Sequence, residues 1–323
     1  MRKLAIVTAA ALGALAAVCA SGAWVYEGKW GGYGKKIGRF DWPYDVAVAP
    51  NGNVYVADTQ NGRVQYFTAT GYFLGTWDRG AGPYGEFNHP MGVAVARNGR
   101  VYVVEGNNHR VQYFNATGSF LGKWGTRGRG DGEFRWPGGL TVAPNGNVYV
   151  SDSENYRVQY FTPTGSFLGK WGTQGSGNGQ LDQAMGIDVA PNGNVYVADR
   201  FNDRVQYFTA TGSFLGKWSA SCNGAVPFAM PQGVVVGGDG YVFVADTNNN
   251  RIQYFTANGS FLGGWGRLGN RGAEFYCPAG AAFSPTGARL YVADSWNHRV
   301  QYFRWSPAHV SPASLGRIRA LFK

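Results

Sequence analysis

A five-residue string, Val54-Tyr55-Val56-Ala57-Asp58, returns as Val101 to Glu105, Val148 to Asp152, Val195 to Asp199, Val242 to Asp246 and Leu290 to Asp294. Its acidic ends stand 47 residues apart four times and then 48, the extra residue falling in the turn Thr286-Gly287-Ala288-Arg289. A period of that length means stacked supersecondary units, none of which buries its apolar faces alone.

Each unit spells four short strands. Strand a is Val46-Ala47-Val48 and its copies, and the turn Pro50-Asn51-Gly52 follows it. Asn-Gly is a strong hairpin signal because both residues tolerate positive φ. Strand b is the Val-Tyr-Val-Ala-Asp string. Strand c is Arg63-Val64-Gln65-Tyr66-Phe67, and strand d, after Thr70-Gly71, is Phe73-Leu74-Gly75-Thr76-Trp77. Strands b and c carry bulky apolar or aromatic groups on both alternating faces. Such a sheet must be covered on both sides. Radial stacking of identical sheets does this and leaves only short edges, so the expected fold is an all-β propeller.

Counting strands fixes the blade number. The last unit stops after strand c at Phe303, while the N-terminus offers a stray strand d, Tyr26-Glu27-Gly28-Lys29-Trp30, matching Phe120-Leu121-Gly122-Lys123-Trp124. Trp30 precedes Phe40 by ten residues, as Trp77 precedes Phe87 and Trp124 precedes Phe134. The N-terminal strand is therefore expected to complete the last blade and close a six-bladed ring. Residues 21–305 make 285, or 47.5 per blade, with no room for a second domain.

The motifs Pro-x-Gly-(Val/Ile)-x-Val, Asn-Gly-x-Val-Tyr-Val-Ala-Asp, Asn-x-Arg-(Val/Ile)-Gln-x-Phe and Gly-x-Phe-Leu-Gly-x-Trp-Gly run through all six units with small departures. Asn108-His109-Arg110 and Asn297-His298-Arg299 give the central triplet in full. This pattern resembles the NHL-repeat family and covers most of the chain. WD-type repeats fit worse, since Trp77-Asp78 occurs once and the equivalent Trp elsewhere is followed by Gly or Ser. The resemblance implies a propeller. It leaves function open, because members include interaction modules, kinase sensor domains, RNA-binding domains and a few lyases.

The ends are set apart from the ring. Met1-Arg2-Lys3, an apolar run from Leu4 to Val18, and Val18-Cys19-Ala20 have the form of a signal peptide over residues 1–20. The chain is therefore expected to be exported, to the extracellular space or the cell envelope. Residues 306–323 form a basic tail in which Leu315, Ile318 and Phe322 share one face of a short expected helix, suited to a membrane surface or to docking on the ring. Without Arg2, Lys3, Arg317, Arg319 and Lys323, 24 basic residues face 19 acidic ones, an excess of five. That is small for nucleic-acid binding, so RNA is not an expected partner. Cys222 and Cys277 remain after cleavage and lie in neighbouring loops where they could pair.

An acid and an Arg stand five apart in every unit: Asp58 and Arg63, Glu105 and Arg110, Asp152 and Arg157, Asp199 and Arg204, Asp246 and Arg251, Asp294 and Arg299. At the feet of each b–c hairpin they read as structural pairs, since a residue repeated in every blade serves the blade. Individuality lies where the repeat breaks. On the face of the d–a and b–c loops these positions are Trp42, His89, Arg135, Trp136, Arg200, Phe201, Trp296 and His298. Their aromatic and charged mixture suits a protein, peptide or glycan partner. Asp45 and Asp188 break the pattern of the innermost strand and are candidates to hold a cation in the channel. The alternative function is a metal-dependent lyase or lactonase-like enzyme. The propeller itself carries only His89, His109 and His298, at scattered positions, and no nucleophile elbow, metalloprotease motif or Walker loop. No cofactor is called for, and a binding module is the expected function.

Overall fold

The computed structural model describes residues 23–77, 86–219 and 227–307. Six four-stranded sheets are present, five of them built from consecutive strands. The sixth joins strand Ala23–Gly31 to Arg299–Ser306, followed by Arg289–Asp294 and Pro278–Phe283. The N-terminal strand is thus the fourth strand of the last blade, and the ring closes as the strand count requires. The expected helical tail and the signal peptide lie outside the described residues, as does Cys222, so its pairing with Cys277 does too.

In blades 1 to 5, strands b, c and d begin and end where the repeat predicts; in blade 1 they are Val54–Asp58, Arg63–Phe67 and Phe73–Trp77. In blade 6 they run longer, as Arg289–Asp294, Arg299–Ser306 and Ala23–Gly31. Strand a is longer than its Val-x-Val signature. In blade 1 it runs Pro43–Val48, with an irregularity between Pro43 and Asp45. Pro is tolerated there because it opens the strand. The six strands a line a central cavity of about 280 Å³, which places them innermost.

The blades are held together by aromatic rings. Each strand-d Trp packs on the strand-c Phe of the next blade: Trp77 on Phe114, Trp124 on Phe161, Trp171 on Phe208, Trp218 on Phe255 and Trp265 on Phe303, with centroids 5.4–5.7 Å apart. Trp30 does the same at the seam. It touches Phe67 of blade 1 at 5.7 Å and Tyr291 and Tyr302 of blade 6 at 6.0 and 5.8 Å. Gly28 repeats the role of the strand-d glycines, since a Cβ there would strike the Tyr302 ring at 2.5–2.8 Å. Buried tyrosines add a second tie. Tyr55 Oη donates to Ala116 O, Tyr102 to Pro163 O, Tyr149 to Ala210 O and Tyr196 to Ala257 O, and Tyr291 closes the circle onto Ala69 O at 3.0 Å.

Residues Tyr26–Phe303 form one compact unit. In the other, Trp24 and Trp305 meet at 5.6 Å.

Candidate functional site

The b–c and d–a loops share a face because they bond to each other. Gln60 N donates to Asp41 O, Glu154 N to Arg135 O, Phe201 N to Asp182 O and Trp296 N to Tyr276 O, each at 3.1 Å. The acid–Arg pairs hold these loops in place. Arg63 Nε donates to Asp58 Oδ2 at 2.6 Å, Nη1 to Lys35 O, and Nη2 to Lys36 O and Arg39 O. The Asp58 carboxylate also accepts Asp41 N, Asn61 Nδ2 and Gln65 Nε2. Arg157, Arg204 and Arg299 repeat this arrangement around Asp152, Asp199 and Asp294. Arg110 pairs with Glu105, and Arg251 with Asp246, at 2.6 Å. Burial pushes the Asp58, Asp152, Asp199 and Asp294 carboxyls up, opposed by these donors. In these four blades the guanidinium donors are directed into loop carbonyls rather than towards a ligand.

Two rings of left-handed backbone shape the face. Trp42, His89, Trp136, Gln183, Met230 and Cys277 all have φ between 47° and 57°. His109, Tyr156, Asp203, Asn250 and His298 have φ between 49° and 57°, and Gly62 fills the same slot at 61°. Non-glycine residues reach this region at a cost and persist where neighbours over-determine them. Here the two rings bond across blades. Trp42 N donates to His298 Nδ1 at 3.1 Å, and Trp136 N to His109 Nδ1 at 3.0 Å. Met230 N donates to Asp203 Oδ1 and Cys277 N to Asn250 Oδ1. Both bonded His rings therefore carry their proton on Nε2 when neutral. In four blades the variable residue of the Asn-x-Arg triplet is thus an inter-blade acceptor, a pairing hidden in sequence because its partner lies in the next repeat, 27 residues on for His109.

The candidate binding residues fall into three groups. At blades 6 and 1, Trp296 packs on Tyr276 at 5.1 Å and meets Trp42 edge-on at 6.2 Å and 77°. Trp42 reaches Tyr44 at 6.3 Å, and His298 sits 4.9 Å from Tyr33. Trp296 and Tyr276 are 52% and 40% exposed. At blades 2 and 3, His89 packs on Trp136 at 5.7 Å, burial lowers the His89 pKa, and Arg135 lies 3.5 Å from Glu154. On blade 4, the Arg200 guanidinium lies 5.1 Å over Phe201 and donates from Nη1 to Gln183 Oε1 at 2.8 Å.

Asp45 and Asp188 lie in the wall of the central cavity, as their strand position requires. Each spends its oxygens on the scaffold. Asp45 accepts Val46 N and, from blade 2, Val93 N at 3.0 Å. Asp188 accepts Val189 N, Thr141 Oγ1 of blade 3 and Val236 N of blade 5. Five blades have Gly at the Asp45 position, and a Cβ on Gly186 would run into Gln232 O of the next blade. Burial pushes Asp45 up to about 7, opposed by the two N–H groups and reinforced by Asp188. Burial pushes Asp188 up to about 6. Among the described residues, no group of three or more His, Cys, Asp or Glu is placed to hold a metal ion.

The NHL-repeat family model matches residues 40–67, 87–114, 134–161, 228–255 and 275–303, each a stretch from the end of a d–a loop through strand c. The chain belongs to the NHL-repeat family. The matched segments omit 181–208, the repeat in which Leu181 and Ala184 replace Phe and Pro and which carries Asp188, Arg200 and Phe201. No curated protein matches. Solved propellers resemble the chain in fold alone. A protein of unknown function from Bacteroides thetaiotaomicron has a TM-score of 0.65 and 16% identity, covering 86% of this chain and 76% of its own. A gluconolactonase from Xanthomonas campestris has 0.59 and 16%, covering 83% and 87%. Virginiamycin B lyase from Staphylococcus aureus has 0.57 and 15%, covering 80% and 79%.

Proposed function

We propose that this NHL-repeat chain is an exported binding module whose ligand, a protein, peptide or glycan, sits on the face of the d–a and b–c loops. The observation that carries this reading is the aromatic group Tyr276, Trp296 and Trp42. Large rings in mutual contact on a half-exposed surface, in a combination that no other blade repeats, are what recognition surfaces use. The basic and apolar opening of the chain supports export.

The lyase or lactonase reading would need several protein ligands converging on one metal. His109 and His298 instead have Nδ1 bonded to the backbone of the next blade. Metal content after dialysis against a chelator tests that reading, with stoichiometric tightly held zinc or calcium as its support. A glycan and peptide screen with the whole chain, read against Trp296→Ala, tests the binding reading. Loss of the captured ligand on substitution is expected, and retention by Trp296→Ala and Trp42→Ala alike would refute it.

A further inference from the structure

We propose that the centre of the loop face is a carboxylate-binding site, in which Arg200 and the Tyr44 hydroxyl take an acid group borne on a ring. The proposal rests on the loop-face reading and narrows it to a ligand class.

Its first support is a slot whose construction the other blades reveal. The residue after the strand-b acid is Thr59, Ser153, Thr247 or Ser295 in four blades. Each donates its hydroxyl to the residue that opens strand a of the next blade: Pro90 O at 2.7 Å, Ala184 O at 2.5 Å, Pro278 O at 2.8 Å and Pro43 O at 2.7 Å. Blade 2 leaves the slot empty with Gly106, and blade 4 fills it with Arg200. Arg200 thus puts a charge where those four blades have a hydroxyl bonded to the next blade. Among the described residues no carboxylate pairs with it, whereas each repeat Arg has one. Nη1 is bonded to Gln183, Cζ lies 5.1 Å from the centre of the Phe201 ring, and Nε is buried without an acceptor.

The second support is Tyr44. The second residue of strand a is Met91, Gly138, Met185, Gln232 and Ala279 in the other blades, so the phenol is peculiar to blade 1. Tyr44 packs with Met91, Met185 and Ala279 at the loop-face end of the axis. Its hydroxyl has no hydrogen-bond partner among the described residues. Tyr44 follows the residue that opens strand a, the level at which the slot of Arg200 meets the next blade, so both groups lie in the layer where the strands a open around the axis. Burial pushes the phenol above its usual range, opposed by the Arg200 charge.

Phenol and guanidinium are both donors, which selects an acceptor-rich anion. One guanidinium matches a single negative charge, and Asp45, the next residue, disfavours a dianion. The flanking Met91, Met185, Trp42 and Trp296 suit the flat or apolar face of a ring.

Calorimetric titration of the full chain with benzoate and with glucuronate, against the neutral benzamide and glucose, tests this and separates an aromatic acid from an acidic sugar. At least one acid is expected to bind about tenfold or more tightly than its neutral counterpart. Arg200→Ser copies the hydroxyl of Ser153 and Ser295, so it preserves the junction and its melting point, and it is expected to weaken binding about tenfold or more. Tyr44→Phe is expected to weaken it as well. Failure of both acids to bind at millimolar concentration, equal binding of the neutral compounds, or unchanged affinity in Arg200→Ser would overturn the proposal. If Arg200→Ser leaves affinity intact while Trp296→Ala abolishes it, this site falls and the loop-face reading stands. If Arg200→Ser, Trp296→Ala and Trp42→Ala all leave it unaltered, both fall.

Discussion

Replacing His109 with Asn exchanges a titratable acceptor for a permanent one at the junction of blades 2 and 3. The native bond runs from Trp136 N to His109 Nδ1 at 3.0 Å and requires a neutral ring. Burial and the Arg127 and Arg135 charges lower the His109 pKa, against the opposing pull of Glu154 and Asp152. A depressed folded value means that the contribution is complete above the ordinary imidazole pKa of about 6.5 and is lost as pH falls through the folded value. Protonation places a donor against the Trp136 N–H. The loss is about 1 kcal/mol for a half-exposed hydrogen bond, which lowers the melting point of a ring this size by about 2–4 °C. Asn250 already performs this task three junctions further round, where its Oδ1 accepts Cys277 N at 2.8 Å, and Asn tolerates the left-handed backbone. Urea unfolding of both chains at pH 8, 7, 6 and 5 should therefore give matching stabilities at pH 7–8. The His109→Asn chain should then hold an advantage of about 1 kcal/mol at pH 5. Other titrating groups are common to both chains and cancel in the difference. Parallel curves across the whole range would refute the reasoning.

Asp45 and Asp188 titrate with the opposite sign. Their folded values, raised to about 7 and about 6, make their contribution complete below about pH 4 and lost as pH rises through 6–7. The stability difference between wild type and Asp45→Gly should shrink from pH 5 to pH 8, and a constant difference in calorimetry would contradict this. Arg157→Met leaves the Asp152 charge buried without its partner and strips donors from Arg129, Gly130 and Glu133, so a loss of about 3–5 kcal/mol in chemical denaturation is expected. Deleting Ala23 to Trp30 exposes the edge of blade 6 and removes the Trp30 contacts to Phe67, Tyr291 and Tyr302; a loss of several kcal/mol is expected, and unchanged melting would contradict it.

The ring was legible because its determinants are local and repeated. The strand-b string, the Asn-Gly turns and the spacing from Trp30 to Phe40 specify strands, blades and closure without reference to distant residues. The candidate site was legible only as a set of exceptions. Arg200, Phe201, Trp42 and Trp296 stood out against their repeats, and the structure places them around the loop face. Tyr44 was missed because its slot elsewhere holds Met, Gly, Gln and Ala, a mixture that looks like ordinary core packing. The acceptor role of His298 was missed for another reason. It depends on a left-handed backbone at two positions in different blades, and Trp42 is not a residue type that announces such a turn.

Hydrogen–deuterium exchange of the full chain, with and without a ligand captured in the glycan and peptide screen, tests the central claim most directly. Slower exchange at Asp41-Trp42, Arg200-Phe201 and Ser295 to His298 is the predicted result. Protection confined to the turns of the opposite face, at Asn51-Gly52, Thr70-Gly71 and Thr117-Gly118, would contradict it.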